Sequence, residues 1–280
     1  MEPRSLRRVL NLPRAQRLKV VAQGLDLLTE HVAKLHDDLL HLVEGDRLRS
    51  AVVVDALASE EAAKVMILLD LVRIGWADQE AARRQIARFY NHMARGLYVR
   101  LVDGKPGSLS EVRGYANALR QSLYLDGPND VDWIFRNEIL ADREDSLYVD
   151  YVSTEGKCFW VTPASRDDYP ALRPSLIIEV VIALRRVGCT GFDGLEIIAK
   201  AWHGIEITND THWQTVASIN REIINRLHRE GLFTPDVTTR DISLVREHWT
   251  FPLTAVDLEE IKVSPASLQA KRDQWLADQQ

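Results

Sequence analysis

Residues 51–72 read AVVVDALASEEAAKVMILLDLV, and this stretch decides the fold. A helix that is apolar on nearly all sides is a buried one. It is long enough to span a bilayer, but Asp55, Glu60, Glu61, Lys64 and Asp70 are each costly in lipid, so no membrane span is expected. Inside a protein an ionised group is also costly unless paired, and Glu60, Glu61 and Lys64 sit in mid-span. Residues 79–101 read as one further helix, joined to the first near Trp76-Ala77-Asp78. So short a connection makes the two helices antiparallel neighbours. In the second, Ile86, Phe89, Met93 and Leu97 recur at helical spacing and are expected to face the core. Arg88, His92 and Arg95 form the adjoining polar stripe, because positions i, i+4 and i+7 share a face.

Outward from this pair the chain remains helical. Residues 17–44 keep helical period through Val21, Leu25, Leu28, Val32, Leu35, Leu39 and Leu42, with Gly45-Asp46 as the stop. The breaker Asp103-Gly104-Lys105-Pro106-Gly107 follows the pair. Ser108 or Ser110 caps the next helix, which runs to about Leu125, where Asp126-Gly127-Pro128 ends it. A shorter helical piece covers 130–145 and carries Trp133, Ile134 and Phe135. The pattern then changes. Residues 147–152 and 157–162 alternate and are rich in aromatic and β-branched side chains around Ser153-Thr154-Glu155-Gly156, which reads as a β-hairpin. Its exit is bracketed by Pro163 and Pro170. Helices are expected again over 174–187, 191–203 and 211–230, the last closed by Gly231. Residues 232–263 read as irregular, and Ser264-Pro265 starts a terminal helix reaching Trp275. The expected fold is all-α: an antiparallel helical bundle over 1–145, one inserted hairpin over 146–165, and a C-terminal helical annex over 166–280.

Composition narrows the function. The chain has 280 residues, 46% hydrophobic and 27% charged, enough for a substantial core. Its net charge of −6 means that any nucleic-acid site must be a local basic groove. Cys158 and Cys189 are too few for a disulfide framework or a cysteine zinc site and fit a reducing cytoplasm. The basic N-terminus lacks the apolar run of a signal peptide. His31, His36 and His41 turn about 140° per step on a helix and do not share a face, so no metal site is expected. No cofactor is expected either: the chain has no P-loop, no Gly-x-Ser-x-Gly and no dinucleotide fingerprint.

Two readings of the polar groups stay open. A histidine titrates in the range of acid–base catalysis, and arginine matches phosphate geometry. His92 with Arg88 and Arg95 is thus either a phosphate-handling site or a solvated basic face. Glu60, Glu61 and Lys64 either orient that site or form an ion-pair network that fixes helix packing. Tyr148 and Asp150, one residue apart, share a strand face and either close over the cleft or face water.

Three landmarks resemble the AbiV-type abortive infection proteins, a branch of the HEPN superfamily of helical bundles. They are Ala58-Ser59-Glu60-Glu61-Ala62-Ala63-Lys64, then Phe89-Tyr90-Asn91-His92-Met93-Ala94-Arg95, then Arg143-Glu144-Asp145-Ser146-Leu147-Tyr148-Val149-Asp150-Tyr151 with Trp160 and Pro163 beyond. The resemblance covers roughly residues 18–162. It implies a homodimer of HEPN-like bundles with the polar site at the dimer cleft, and an antiphage effector. Many such proteins are metal-independent ribonucleases with arginine, four to six residues, then histidine. This chain departs from that signature: only three residues separate Arg88 from His92, and Arg83 and Arg84 lie too far back. Two functions follow as expectations. One is an RNA-cleaving or RNA-binding toxin that arrests translation, with His92 as acid–base, Arg88 and Arg95 as phosphate clamps, and Glu60, Glu61, Lys64, Asn91, Tyr148 and Asp150 in support. The other is a non-catalytic helical module that binds a phage or host protein.

Overall fold

The computed structural model describes residues 4–104, 106–121, 137–154, 157–163, 173–262, 264, 266, 267, 270, 273, 274 and 277. The described residues form ten α-helices and one β-hairpin, an all-α architecture with a single small sheet. Helix α1 (Arg14–Glu44) buries Leu18, Val21, Leu25, Val32, Leu35 and Leu39 on one stripe. Gly45 caps it, and Asp46 turns the chain in the left-handed region at φ 55°. Helix α2 (Leu48–Arg73) returns along α1. From Val65 to Arg73 every residue of α2 is buried, so this rod lies at the centre, with α1, α3, α4, α7 and α8 around it. No helix among the described residues is long and apolar enough to cross a membrane.

The helix expected over 79–101 is two helices, α3 (Gln79–Arg88) and α4 (His92–Asp103). The amides of Phe89, Tyr90 and Asn91 each bond three residues back, which tightens and ends α3. The Asn91 side chain then accepts the Ala94 amide at 3.0 Å and caps α4. Asparagine competes for backbone donors and favours such a position. Ile86, Met93 and Leu97 are buried on both sides of the break and Phe89 is half-buried, so the apolar spacing carries through while the polar stripe does not.

Ser108 caps α5 (Leu109–Leu119) by accepting the Glu111 amide at 3.2 Å. The helix expected to reach about Leu125 ends at Leu119, because Gln121 leaves it to bridge with Ile261; residues 122–136, with the breaker at 126–128 and Trp133, Ile134 and Phe135, lie outside the described residues. Helix α6 (Glu138–Leu147) is capped by Asn137 and precedes strands β1 (Asp150–Thr154) and β2 (Lys157–Val161). These pair antiparallel, Asp150 opposite Val161 and Thr154 opposite Lys157, with Glu155 and Gly156 outside the described residues. Pro170 and Lys105 lie outside them too, whereas Pro163 is buried. Helices α7 (Leu176–Arg186), α8 (Phe192–Ala201) and α9 (Trp213–Arg229) follow at the expected places.

The segment expected to be irregular contains α10 (Thr239–His248), started by a capping box between Thr238 and Asp241. The terminal stretch is helical at 266, 267, 270, 273, 274 and 277, with Pro265 and Trp275 outside the described residues. One apolar core runs from α1 and α2 through α7, α9 and α10, so the C-terminal helices share the core of the bundle.

That core encloses a polar hub. Asp70 accepts hydrogen bonds from Arg73 Nη1 (3.2 Å), the Tyr98 hydroxyl (2.7 Å) and the Leu253 amide (2.9 Å). The Arg73 guanidinium stands over the Trp249 and Trp202 rings, 3.8 and 4.7 Å from their centroids. It also donates to the carbonyls of Thr250 (2.8 Å) and Trp249 (3.3 Å). Burial lowers the Arg73 pKa to about 10, which leaves it charged at neutral pH. Burial pushes Asp70 upward, against three donors that favour its ionised form. Residues 249–261 thus lie as a strap across the bundle. Arg88 donates to the carbonyls of Leu253 (2.8 Å) and Val256, Arg113 to that of Ala255 (3.3 Å), and Arg120 to that of Glu259 (2.6 Å).

Three substitutions test this packing. Arg73→Met strands the Asp70 carboxylate in the core and is expected to lower the unfolding free energy by about 3–5 kcal/mol in urea titration. Lys34→Ala, which breaks an exposed pair with Glu30, is expected to change it by less than about 1 kcal/mol. Gly96 faces α6 so closely that a Cβ would stand 2.1 Å from Ile139 Cγ2. Gly96→Ala is therefore expected to cost about 1–3 kcal/mol and to speed hydrogen exchange in α6.

Candidate functional site

Glu60 is the centre of a four-residue cluster. It lies on α2 with its side chain 17% exposed. His92 and Arg95 come from the first turn of α4, and Arg143 from α6. His92 Nδ1 is 3.0 Å from Glu60 Oε1 and 3.1 Å from Oε2. Arg143 Nε donates to Oε1 at 2.9 Å, and Arg95 Nη2 lies 3.3 Å from Oε2. The Asn91 cap makes this convergence possible, because it starts α4 at His92 and places Arg95 one turn on, over the same carboxylate.

Arg95 Nη2 also lies 2.8 Å from His92 Nδ1, so this nitrogen has both a donor and a carboxylate beside it. A deprotonated Nδ1 would turn its lone pair toward the Glu60 anion. A protonated Nδ1 donates to Glu60 while Arg95 keeps its own bond to Oε2. The second arrangement pairs the ring with the carboxylate and puts its free lone pair on Nε2, with the Nδ1–H and Arg95 Nη2 donors left in contact. The imidazole is about half exposed, which leaves Nε2 open to a ligand. Arg95 is nearly buried, and desolvation lowers its pKa while Glu60 and Glu61 raise it. Two guanidinium groups against one carboxylate leave the cluster cationic when His92 is neutral.

The other sequence candidates lie apart from this centre. Glu61 and Lys64 pair with each other, with Lys64 Nζ 5.5 Å from the centroid of the Phe89 ring. Arg88 is held by the strap carbonyls and by Gln85 Oε1 at 2.9 Å. It lines a different cavity, of about 310 Å³, together with Asn91, Val256 and Asp257. Its expected place beside His92 fails because the break at 89–91 ends the shared helical face. Tyr148 is exposed in the link between α6 and β1. Asp150 opens β1, and its side chain lies outside the described residues.

Sequence reasoning missed Arg143 as a site residue, although it opens the third landmark. It lies 83 residues from Glu60, and no spacing rule links the two. The hub residues Asp70, Arg73, Gln85 and Tyr98 were likewise unassigned. Their one sequence signal is the pair of charges, Asp70 and Arg73, in the most apolar part of the chain.

The cluster stands at a cavity of about 230 Å³ between α2, α4 and α6, lined by Glu60, His92 and Arg143 among others. Among the described residues, no group of three or more His, Cys, Asp or Glu is placed to hold a metal ion. The groups present can move a proton at Nε2 and stabilise an anion beside Arg143.

Comparison with known proteins agrees with this architecture. No curated protein and no solved structure matches the chain. The profile of the family HEPN_AbiV, described as AbiV, matches residues 20–174, which takes in most of α1, α2 to α6 and the hairpin. That family points to abortive infection, a form of antiphage defence. Since the match spans more than half of the sequence, the chain belongs to the AbiV family of HEPN proteins.

Proposed function

We propose that this AbiV-family protein acts in antiphage defence by metal-independent cleavage of RNA, which arrests translation. The observation that carries the reading is the convergence of His92, Arg95 and Arg143 on Glu60 at the mouth of a cavity. His92 Nε2 takes the proton of a ribose 2′-hydroxyl, whose oxygen attacks the adjacent phosphorus. The bond from phosphorus to the 5′-oxygen breaks, leaving a 2′,3′-cyclic phosphate. A protonated imidazole, of the same or a second copy, returns the proton to the leaving oxygen. Arg143, about one-third exposed, stabilises charge on the phosphorane, and Arg95 supports it from behind. Glu60 acts as a positioning residue, fixing the tautomer and angle of the ring. Arg143 takes the clamp role first expected of Arg88.

The acting unit is proposed to be a homodimer. The hairpin supports this with exposed apolar surface at Tyr151, Phe159 and Trp160. A second reading, a non-catalytic module that binds a phage or host protein, is favoured by one observation: Glu60 already occupies both arginines that would meet a phosphate.

Incubation of purified protein with total RNA in EDTA separates the two. Cleavage predicts fragments ending in 2′,3′-cyclic phosphate, with His92→Ala slowing their formation by about 100-fold or more. RNA that stays intact at high protein concentration would overturn the ribonuclease reading. Sedimentation at twice the chain mass tests the dimer.

A further inference from the structure

An anion needs a cation that it can reach, and most arginines near His92 are already engaged. Arg95 is nearly buried and paired with Glu60, Arg143 donates to Glu60, and Arg88 is held by the strap. Arg4 differs from all three. It is exposed, and no carboxylate pairs with it among the described residues. It precedes a 3₁₀ helix, Ser5–Asn11, that lies against α3 and buries Val9. Arg17 of α1 fastens the end of this helix by donating to the carbonyls of Leu10 (2.8 Å) and Leu12 (2.6 Å). At its start the Leu6 amide donates to the Tyr90 hydroxyl at 3.4 Å, and the guanidinium carbon of Arg4 stands 5.9 Å from the centroid of the Tyr90 ring. Tyr90 lies in the break between α3 and α4, two residues before His92. The segment ahead of α1 thus delivers a cation to the edge of the cluster. Arg95 feels it: burial lowers the pKa of that guanidinium most, and the charges of Arg143 and Arg4 lower it further. With Lys64, which pairs with Glu61, these make four cations facing the two carboxylates Glu60 and Glu61. A chain of net charge −6 therefore carries here the local basic strip that RNA binding requires.

We propose that Arg4 is a substrate-binding residue that holds the phosphate adjacent to the one at His92 and Arg143, so that the site takes an RNA strand rather than a lone nucleotide. The inference rests on the RNA reading and names the form of its substrate. Neither Arg4 nor Tyr90 is among the described residues that line the cavity at His92. An anion on Arg4 therefore lies outside that cavity, beside the reacting phosphate and not at it. A guanidinium that turns its face to an aromatic ring keeps its N–H edge free, and that edge matches two phosphate oxygens. Arg4 also meets the difficulty that Glu60 occupies both inner arginines, because it brings a charge that no carboxylate has to release. Two anchored phosphates fix the sugar between them, where one alone leaves it free to turn, and such orientation is a large part of any rate gain.

The test is fluorescence anisotropy of the full chain with a labelled single-stranded oligoribonucleotide of about ten nucleotides, titrated with salt. Fluorine in place of each 2′-hydroxyl keeps the probe from being cut. Inorganic phosphate is measured in parallel by calorimetry. Arg4→Met is expected to weaken the oligonucleotide about five- to tenfold at low salt and to lower the slope of log affinity against log salt by about 0.7, the share of one phosphate contact on a single strand. Arg4→Lys is expected to restore that slope, and inorganic phosphate to bind Arg4→Met as it binds the native chain. Arg143→Met is expected to weaken both ligands. An affinity and slope unchanged in Arg4→Met, an equal loss for inorganic phosphate, a slope that Arg4→Lys does not restore, or no binding of the oligonucleotide to the native chain would overturn the assignment. Long RNA cut by Arg4→Met at the native rate, at RNA concentrations below saturation, would defeat the role of Arg4 alone. Oligonucleotide binding that depends on Arg4, without any cleavage of total RNA, would defeat the ribonuclease reading and leave Arg4 as an RNA contact.

Discussion

The ion pair of Asp70 and Arg73 is the interaction on which the rest of the structure depends. Each is buried, and each is affordable only because the other is there with a full set of partners. Asp70 reaches Tyr98 on α4 and the Leu253 amide in the strap, and Arg73 reaches Asn220 on α9, the carbonyls of 249 and 250, and two tryptophan faces. Gln85 on α3 joins by donating to the Tyr98 hydroxyl at 2.8 Å. One turn of the central helix therefore ties together α3, α4, α9 and the strap. An apolar core alone is tolerant of sliding, whereas directional bonds to a fixed set of donors and acceptors define one register.

That register fixes the site. Tyr98 stands on the same helix as His92 and Arg95, so the hub sets how far α4 lies along α2, and with it whether His92 meets Glu60. The strap has a second consequence through Arg88. Its guanidinium is spent on the carbonyls of Leu253 and Val256, in a cavity other than the one at the Glu60 cluster. Only three residues of sequence separate Arg88 from His92, yet the capped break between them sends the two side chains to different cavities.

Much of this was legible in the sequence, and the failures share a cause. The central rod, the α1 stripe, the hairpin and the helices α7 to α9 follow from local periodicity, which residue order carries directly. The break at 89–91 was hidden because the apolar spacing of Ile86, Phe89, Met93 and Leu97 survives it. Asn91 was the sign, a strong capping residue in the middle of an assumed helix. Helix α10 was missed because ten residues with few apolar positions give a weak period, and its capping box uses Asp241 where glutamate or glutamine is usual. On the site, Glu60 and His92 both stood out as candidates because each is conspicuous, an acid in an apolar rod and a histidine in a polar stripe, but residue order did not choose between Glu60 and Glu61 as the partner. Arg143 did not stand out, since its partnership with Glu60 exists only in three dimensions.

The carboxylate at the centre of the cluster looks at first like an obstacle to binding an anion, but its removal would not leave a better phosphate site. Arg95 is 8% exposed on its side chain, and a buried guanidinium without a counter-charge is strongly unfavourable. Glu60 is what allows Arg95 to occupy that depth, and the same two oxygens orient His92 and hold Arg143 at the rim. Of the two cations, Arg143 is the more exposed and comes from a different helix. It can give up its bond to Glu60 for a phosphate oxygen while Arg95 remains paired. The cluster thus divides its labour by depth: an inner pair that holds the ring in place, and an outer guanidinium and Nε2 that face whatever enters the cavity.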